Sequence, residues 1–262
     1  MNKDYKIVIP SFLRHKTLEK KTLTTLKNNN IDKNKIYIFV ANQKERCTYF
    51  NYLNGDLYGQ IIIGVEGIRN QREFIKNYFE EGEYIVSCDD DIEQFYQLDF
   101  VDDKKKLKEI NNIENEIITN FKLCNNSNKY LWGVQAHKNP FWMKNGVFYG
   151  YINRHDLDLK LSEEIEVKED YENVILHCIK DKGVFRRNDL AFKTVYNAPG
   201  GCGQDRFEKN KIAQEYLTNK YPQYCYATFR KNKNIKTGEP EIKLKVFRKK
   251  KIQTIKEELN IK

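Results

Sequence analysis

A chain of 262 residues with 40% hydrophobic and 13% aromatic content has enough apolar material for a sizeable packed core, while 32% charged residues exclude a membrane-embedded chain. No run approaches the roughly 18 apolar residues of a spanning helix, and the opening Met1-Asn2-Lys3-Asp4 lacks the apolar stretch of a secretion signal, so a cytoplasmic location is expected. The formal charge of +9 favours contact with a polyanion, because Lys and Arg beside phosphates release condensed counterions; a Lys-, Asn- and Ile-rich composition also arises from an A+T-rich genome.

The first ninety residues alternate short apolar runs with helical patterns, the mark of a parallel sheet covered by helices. Strands are expected at Lys6 to Pro10, Ile36 to Ala41, Gln60 to Gly64 and Tyr84 to Cys88, each rich in Ile, Val, Tyr or Phe, with three helices between them. The third helix, Ile68 to Glu80, brings Ile68, Ile75, Tyr78 and Phe79 close to one face, and Gly82 closes it. The charged stretch Asp102 to Lys108 reads as a surface loop before a helix carrying Ile110, Ile113, Ile117 and Phe121.

Beyond it, strands are expected at Tyr130 to Gln135 and Gly146 to Ile152, then an amphipathic helix with Tyr171, Val174, Ile175, Cys178 and Ile179. A strand near Val184, a glycine loop at Gly200, Gly201 and Gly203, a helix near Lys209 to Tyr221 and strands near Tyr226 and Ile242 complete the chain. No linker separates the halves, so one domain is expected: residues 1–98 as a nucleotide-binding half, 99–247 as an acceptor and catalytic half, and 248–262 as a basic tail. The six cysteines are scattered without zinc-site spacing and read as reduced and mostly buried.

Asp89, Asp90 and Asp91 follow a strand that reads as buried, and ligands of open α/β sheets bind just outside the carboxyl ends of such strands. Three adjacent carboxylates repel one another, so a divalent cation would explain them; Mg²⁺ or Mn²⁺ typically keeps open positions for substrate phosphates. The competing explanation is an acidic loop capping the next helix. The Pro10-Ser11 turn at the end of the first strand and the cations Arg14, Arg69 and Arg72 could converge with the aspartates on one diphosphate.

The segments "IVIPSFLRHKTL", "IYIFVA", "GVEGIRNQREFI" and "EGEYIVSCDDDIEQF" resemble the glycosyltransferase A fold and, within it, the TET-associated glycosyltransferases of phages. In the second half the resemblance rests on "KEDYENVILHCIKDKGVFRR" and the glycine loop. It implies a Rossmann-type, mostly parallel sheet flanked by helices, and an enzyme that moves a sugar from a nucleotide-diphosphate donor, expected to be a UDP-sugar, to hydroxymethylated pyrimidines in DNA. It also implies a host-cytoplasmic location if the chain is phage-encoded.

Carried over residue by residue, the family's D-x-D falls on Asp89, facing ribose and metal, and Asp91, on the Mn²⁺ or Mg²⁺, with Asp90 as spacer. Pro10, Ser11 and Arg14 border the nucleotide, and Arg69, Gln71 and Arg72 lie near its base or diphosphate; Arg69 and Arg72 could equally form a solvated helix face. Glu169 and Asp170 match the acidic pair that contains the catalytic base of inverting members, with Asp170 as the base. Asp before a helix is also a standard N-cap. Asp205, after the glycine loop, is a rival base; His177 reads as a packed helix residue, and His137 or His155 could add a metal ligand.

Trp132, Phe141, Trp142, Phe148, Tyr149 and Tyr151 are core material by default, or stacking surfaces for a flipped base, and Arg248-Lys249-Lys250-Lys251 is either a solvated tail or a hold on phosphates. The same donor half would serve transfer to a glycan or protein, or a nucleotidyltransferase; a non-catalytic DNA-binding module fits poorly, because the aspartates repel phosphate.

Overall fold

Residue alternation in the first strands decides the layering. In β1 (Tyr5–Pro10), Ile7 and Ile9 join one apolar cluster with Ile36, Ile38 and Val40 of β2 (Ile36–Val40), whereas Val8 and Phe39 point into a second cluster on the opposite face. Strands apolar on both faces must be covered on both, and they are. A computed structural model describes residues 4–101, 104–134, 146–194, 205–232 and 235–245 of the chain.

On one face lie the helical run α1 (His15–Leu18), a π-helical turn (Glu19–Leu23) and α2 (Thr24–Asn28), together with α3 (Gln43–Tyr52) and α5 (Ile113–Asn126). They contribute Leu18, Leu23, Leu26, Tyr49, Ile117 and Phe121. The other face is covered by α4 (Ile68–Tyr78) through Ile75 and by α6 (Glu169–Lys180) through Val174 and Cys178. Expected on the buried face of α4, Tyr78 is 43% exposed, and that helix ends before Gly82, which occupies the following turn at φ +82°. A glycine suits that turn because L side chains rarely adopt positive φ.

The main sheet has seven strands in the order β3-β2-β1-β4-β8-β7-β9, where β3 is Gln60–Ile63, β4 Tyr84–Cys88, β7 Leu131–Val134, β8 Phe148–Ile152 and β9 Phe185–Arg187. Strands β3, β2, β1 and β4 are parallel, and β8 runs antiparallel to both β4 and β7. The order reverses between β1 and β4, so their carboxyl ends open the crevice in which doubly wound sheets bind ligands.

The stretch read as a loop from Asp102 to Lys108 is corrected. From Lys104 it forms β6 (Lys104–Ile110), antiparallel to β5 (Ile92–Val101), with Lys106 opposite Asp99, and Ile110 ends this strand rather than starting a helix. Charged side chains are compatible with an edge strand, where Lys discourages further pairing. On its other side β5 pairs with β10 (Leu190–Thr194). Farther along, α7 (Arg206–Lys220) packs on the hairpin of β11 (Cys225–Asn232) and β12 (Ile235–Leu244).

Four cysteines, Cys88, Cys124, Cys178 and Cys225, are buried and free, and Cys47 is exposed. Among the described residues, no helix is long and apolar enough to cross a membrane. Trp132, Phe148, Tyr149 and Tyr151 are at most 7% exposed, so these four rings are core and not stacking surfaces, while Phe141 and Trp142 lie outside the described residues. Trp132 reaches its position because residue 150 is glycine: a Cβ there would overlap the indole. Gly150→Ala is therefore expected to cost about 1–3 kcal/mol in urea denaturation, the usual scale of overpacking, and Trp132→Phe in the same chain should recover part of it.

Candidate active site at the strand switch

The turn that leaves β1 is built before any ligand is considered. The Ser11 N–H donates to the Phe39 carbonyl at 3.0 Å, which extends the β1–β2 pairing by one residue. Leu13 then adopts φ +55° while 66% exposed. A non-glycine residue in that region carries strain of roughly 1–3 kcal/mol and needs partners to hold it. α3 supplies them: the Leu13 N–H donates to Glu45 Oε2 at 3.1 Å, and the Arg14 N–H donates to the Tyr49 hydroxyl at 3.0 Å.

This turn aims Ser11 and Arg14 at the end of β4. Ser11 Oγ donates to Asp90 Oδ2 at 2.7 Å, Arg14 Nη1 lies 2.7 Å from Asp90 Oδ1, and Arg14 Nη2 donates to Asp91 Oδ2 at 3.1 Å. Asp91 Oδ1 also accepts from Thr194 Oγ1 at 2.5 Å. Asp90 is therefore more than a spacer: it is buried and anchors Arg14. Burial pushes its carboxyl up to about 6, against the opposing pull of Arg14 and Ser11. Burial likewise disfavours charge on Arg14, but Asp90 and Asp91 outweigh it and raise its pKa.

Asp89 sits differently, with a third of its side chain exposed. Its N–H donates to the Val147 carbonyl at 2.8 Å, and its carbonyl accepts from Thr22 Oγ1 at 2.8 Å. The residue after Asp91 begins β5, so the aspartates cap no helix and that explanation of the triplet falls away.

Arg72 of α4 closes the other side. Its Nη1 lies 2.6 Å from Glu169 Oε1, its Nη2 donates to the Gly146 carbonyl at 2.9 Å and stands 3.8 Å from Asp89 Oδ1, and its guanidinium lies over the Tyr149 ring. Burial disfavours its charge, yet Tyr149, Glu169, Asp89 and Asp170 together hold it charged. Glu169 is raised by burial, with Arg72 opposing and Asp170 reinforcing. The Nε atoms of Arg14 and Arg72 are buried without an acceptor among the described residues.

Glu169 and Asp170 are the first two residues of α6; the N-cap is Lys168, at φ +62° and without a side-chain cap bond. Asp170 therefore does not serve as the cap, although both carboxylates still favour a helix N-terminus. Its Oδ2 lies against Gly146.

Arg69 and Gln71 are committed elsewhere. Arg69 Nη2 donates to the Leu161 carbonyl at 2.7 Å, and Gln71 Oε1 accepts from the Val65 N–H at 2.8 Å. Asp205 sits exposed before α7, and the glycine loop and His137 lie outside the described residues. His155 Nε2 lies 3.0 Å from the Phe79 carbonyl, and His177 is buried with Nδ1 2.8 Å from Asp181 Oδ2. Glu45, Tyr49, Thr194 and Gly146 went unread in the sequence: Glu45 and Tyr49 share a helix face at i,i+4, but nothing local ties any of the four to the aspartates.

No family model and no curated protein matches the sequence. Among solved structures, the chain is similar to S. aureus TarS 1–349 in complex with UDP-GlcNAc, at 12% identity and TM-score 0.51, covering 84% of this chain and 73% of that one. It is also similar to a mycobacterial protein at 8% identity and TM-score 0.50, covering 92% and 83%. Against a longer S. aureus TarS chain the match is 13% identical with TM-score 0.47, and this chain spans 43% of its length. At these identities the likeness is one of fold. The fold is glycosyltransferase A-like.

Removing Arg14 should expose how the carboxylates are held. Arg14→Leu leaves Asp90 buried without its cation and is expected to cost on the order of 3–5 kcal/mol in urea denaturation, as when one partner of a buried pair is lost. Asp90→Asn in the same chain should restore part of that stability.

Proposed function

We propose that the protein is a metal-dependent glycosyltransferase that moves a sugar from a nucleotide-diphosphate donor, a UDP-sugar, to a hydroxyl on 5-hydroxymethylated pyrimidine in DNA. The observation that carries the donor half is the charge pattern at the strand switch. Five carboxylates, Asp89, Asp90, Asp91, Glu169 and Asp170, surround two guanidinium groups. A diphosphate would be repelled there without a divalent cation.

Among the described residues, no three His, Cys, Asp or Glu side chains form a metal site by themselves. Mg²⁺ or Mn²⁺ in this reading would be held by one or two carboxylates and completed by substrate oxygens. Asp89, partly exposed, and Asp91, which keeps free lone pairs beside Arg14 and Thr194, are the ligands this reading assigns. The metal, when bound, would neutralise charge developing on the leaving diphosphate.

The chain's own groups do the rest. Pro10 and Ser11 border the nucleotide, and Arg14 and Arg72 present fixed positive charge to the diphosphate, with no reorganisation needed when the bond breaks. Arg69 and Gln71 act from behind, holding the 161 loop and the turn after β3 that frame the base. Asp170 accepts the proton of the acceptor hydroxyl, while Glu169 balances Arg72.

The acceptor assignment rests on the resemblance and on where the charge lies. Residues 225–262 contain 12 Lys and Arg against 4 Glu, eight of the nine net positive charges of the chain. A phosphodiester polymer is the partner such a segment attracts.

The test is incubation with Mn²⁺, a panel of nucleotide sugars and hydroxymethylated DNA, with products read by mass spectrometry. Glycosylated hydroxymethylpyrimidine is expected, with no product on unmodified cytosine or thymine, which lack the exocyclic hydroxyl. DNA affinity should fall steeply with salt, and neutralising Lys249, Lys250 and Lys251 should flatten that slope. Transfer to a glycan or peptide with DNA ignored at low salt would overturn the acceptor, and release of pyrophosphate would make the enzyme a nucleotidyltransferase.

Two substitutions separate binding from chemistry. Asp91→Asn should abolish Mn²⁺-dependent donor binding in calorimetric titration. Asp170→Asn should leave donor affinity unchanged and lower turnover by at least about 100-fold, the scale of a lost general base. The same pattern in Asp205→Asn instead would move the base to the glycine loop.

A further inference from the structure

We infer that Gly146 is the positioning residue that sets the location of the Asp170 carboxylate relative to Arg72 and Asp89; this rests on Asp170 being the base. Residues 146 and 147, just before β8, touch three separate elements of the site. The Gly146 carbonyl accepts from Arg72 Nη2 at 2.9 Å, the Val147 carbonyl accepts from the Asp89 N–H at 2.8 Å, and the α-carbon of Gly146 faces Asp170.

A Cβ at residue 146 would lie 2.6 Å from Asp170 Oδ2, 3.1 Å from its Cγ and 3.3 Å from its Cβ. Ordinary contact begins at 3.4 Å, so the carboxylate would have to retreat by almost 1 Å. The close approach to Asp170 requires the absence of a side chain at residue 146. Asp170 is short and half-buried, so it can yield without unfolding its surroundings. The chain would then fold and bind donor with its base displaced.

The same two carbonyls also explain why the donor and acceptor sides keep a common register. Arg72 comes from α4, Asp89 from the end of β4 and Asp170 from α6, and one short backbone segment meets all three. Two of these contacts use carbonyl oxygens, which any residue supplies; the third requires the absence of a side chain.

Gly146→Ala, Asp170→Asn and the double variant test this, in calorimetric binding of UDP with Mn²⁺ and in turnover with the donor and acceptor that the panel above yields. Gly146→Ala should lower kcat by roughly 100-fold, the scale of a catalytic group misplaced by an ångström, with UDP affinity unchanged. It should cause no further loss in the Asp170→Asn background. An equal loss in both backgrounds, or UDP affinity falling in parallel with turnover, would overturn the inference. Full turnover of Gly146→Ala overturns it and leaves the base assignment standing; full turnover of Asp170→Asn removes both. An activity-free arm compares melting temperatures: Gly146→Ala should lower Tm in the wild-type chain and not in Asp170→Ala, and equal lowering in both overturns the contact.

Discussion

Everything at the strand switch depends on neutralising Asp90. This carboxylate is 4% exposed at the end of a strand buried on both faces, next to two others of the same charge. An isolated carboxylate in such a place would stay protonated or unfold its surroundings. Arg14 and Ser11 answer it, and both are delivered by a turn whose strained Leu13 is held by Glu45 and Tyr49 of α3. A helix that contributes no group to the reaction we propose is thus required for the geometry of one that does.

The second half of the chain enters the same sheet through β8, antiparallel to β4. That pairing brings residues 146 and 147 beside Asp89, and Arg72 of α4 meets the Gly146 carbonyl there, between Asp89 and Glu169. Arg72 is the counterpart of Arg14 on the opposite side, each a guanidinium shared between two carboxylates: Arg14 between the neighbours Asp90 and Asp91, Arg72 between Asp89 and Glu169. The two arginines differ in what they tie together: Arg14 joins β1 to the aspartates, whereas Arg72 joins them to α6. Positive φ at Leu13 and at Lys168 flanks the site on both sides, which is where backbone strain tends to collect in sites that must be held in one arrangement.

Charge is segregated in the chain as sharply as in the site. The centre holds five carboxylates around two arginines, while the basic surplus lies in the last forty residues. In the reaction we propose, this division would keep the phosphates of a polymer away from the carboxylates around a metal, which repel them. The hairpin β11–β12 bridges the two regions: Glu241 of β12 accepts from Lys168 at 2.9 Å and from the Tyr171 hydroxyl at 3.1 Å, at the start of the helix that carries Asp170.

Strands β1 to β4 and the helices α4, α6 and α7 were readable in the sequence, because period-2 and period-3.6 apolar patterns are local properties. So was the need of Asp89 to Asp91 for compensating charge, since three adjacent carboxylates after a buried strand require it whatever the fold, and Arg14 and Arg72 stand beside them. The strands β5 and β6 were not read: β6 is dominated by lysines, and a ladder such as Asp99 opposite Lys106 exists only once two segments pair. The different roles of Asp89, Asp90 and Asp91, the diversion of Arg69 and Gln71 to backbone partners, and the proximity of Gly146 to Asp170 were decided by tertiary structure. Each depends on which group from a distant element arrives first at a lone pair or a gap, and a sequence holds no record of those distances.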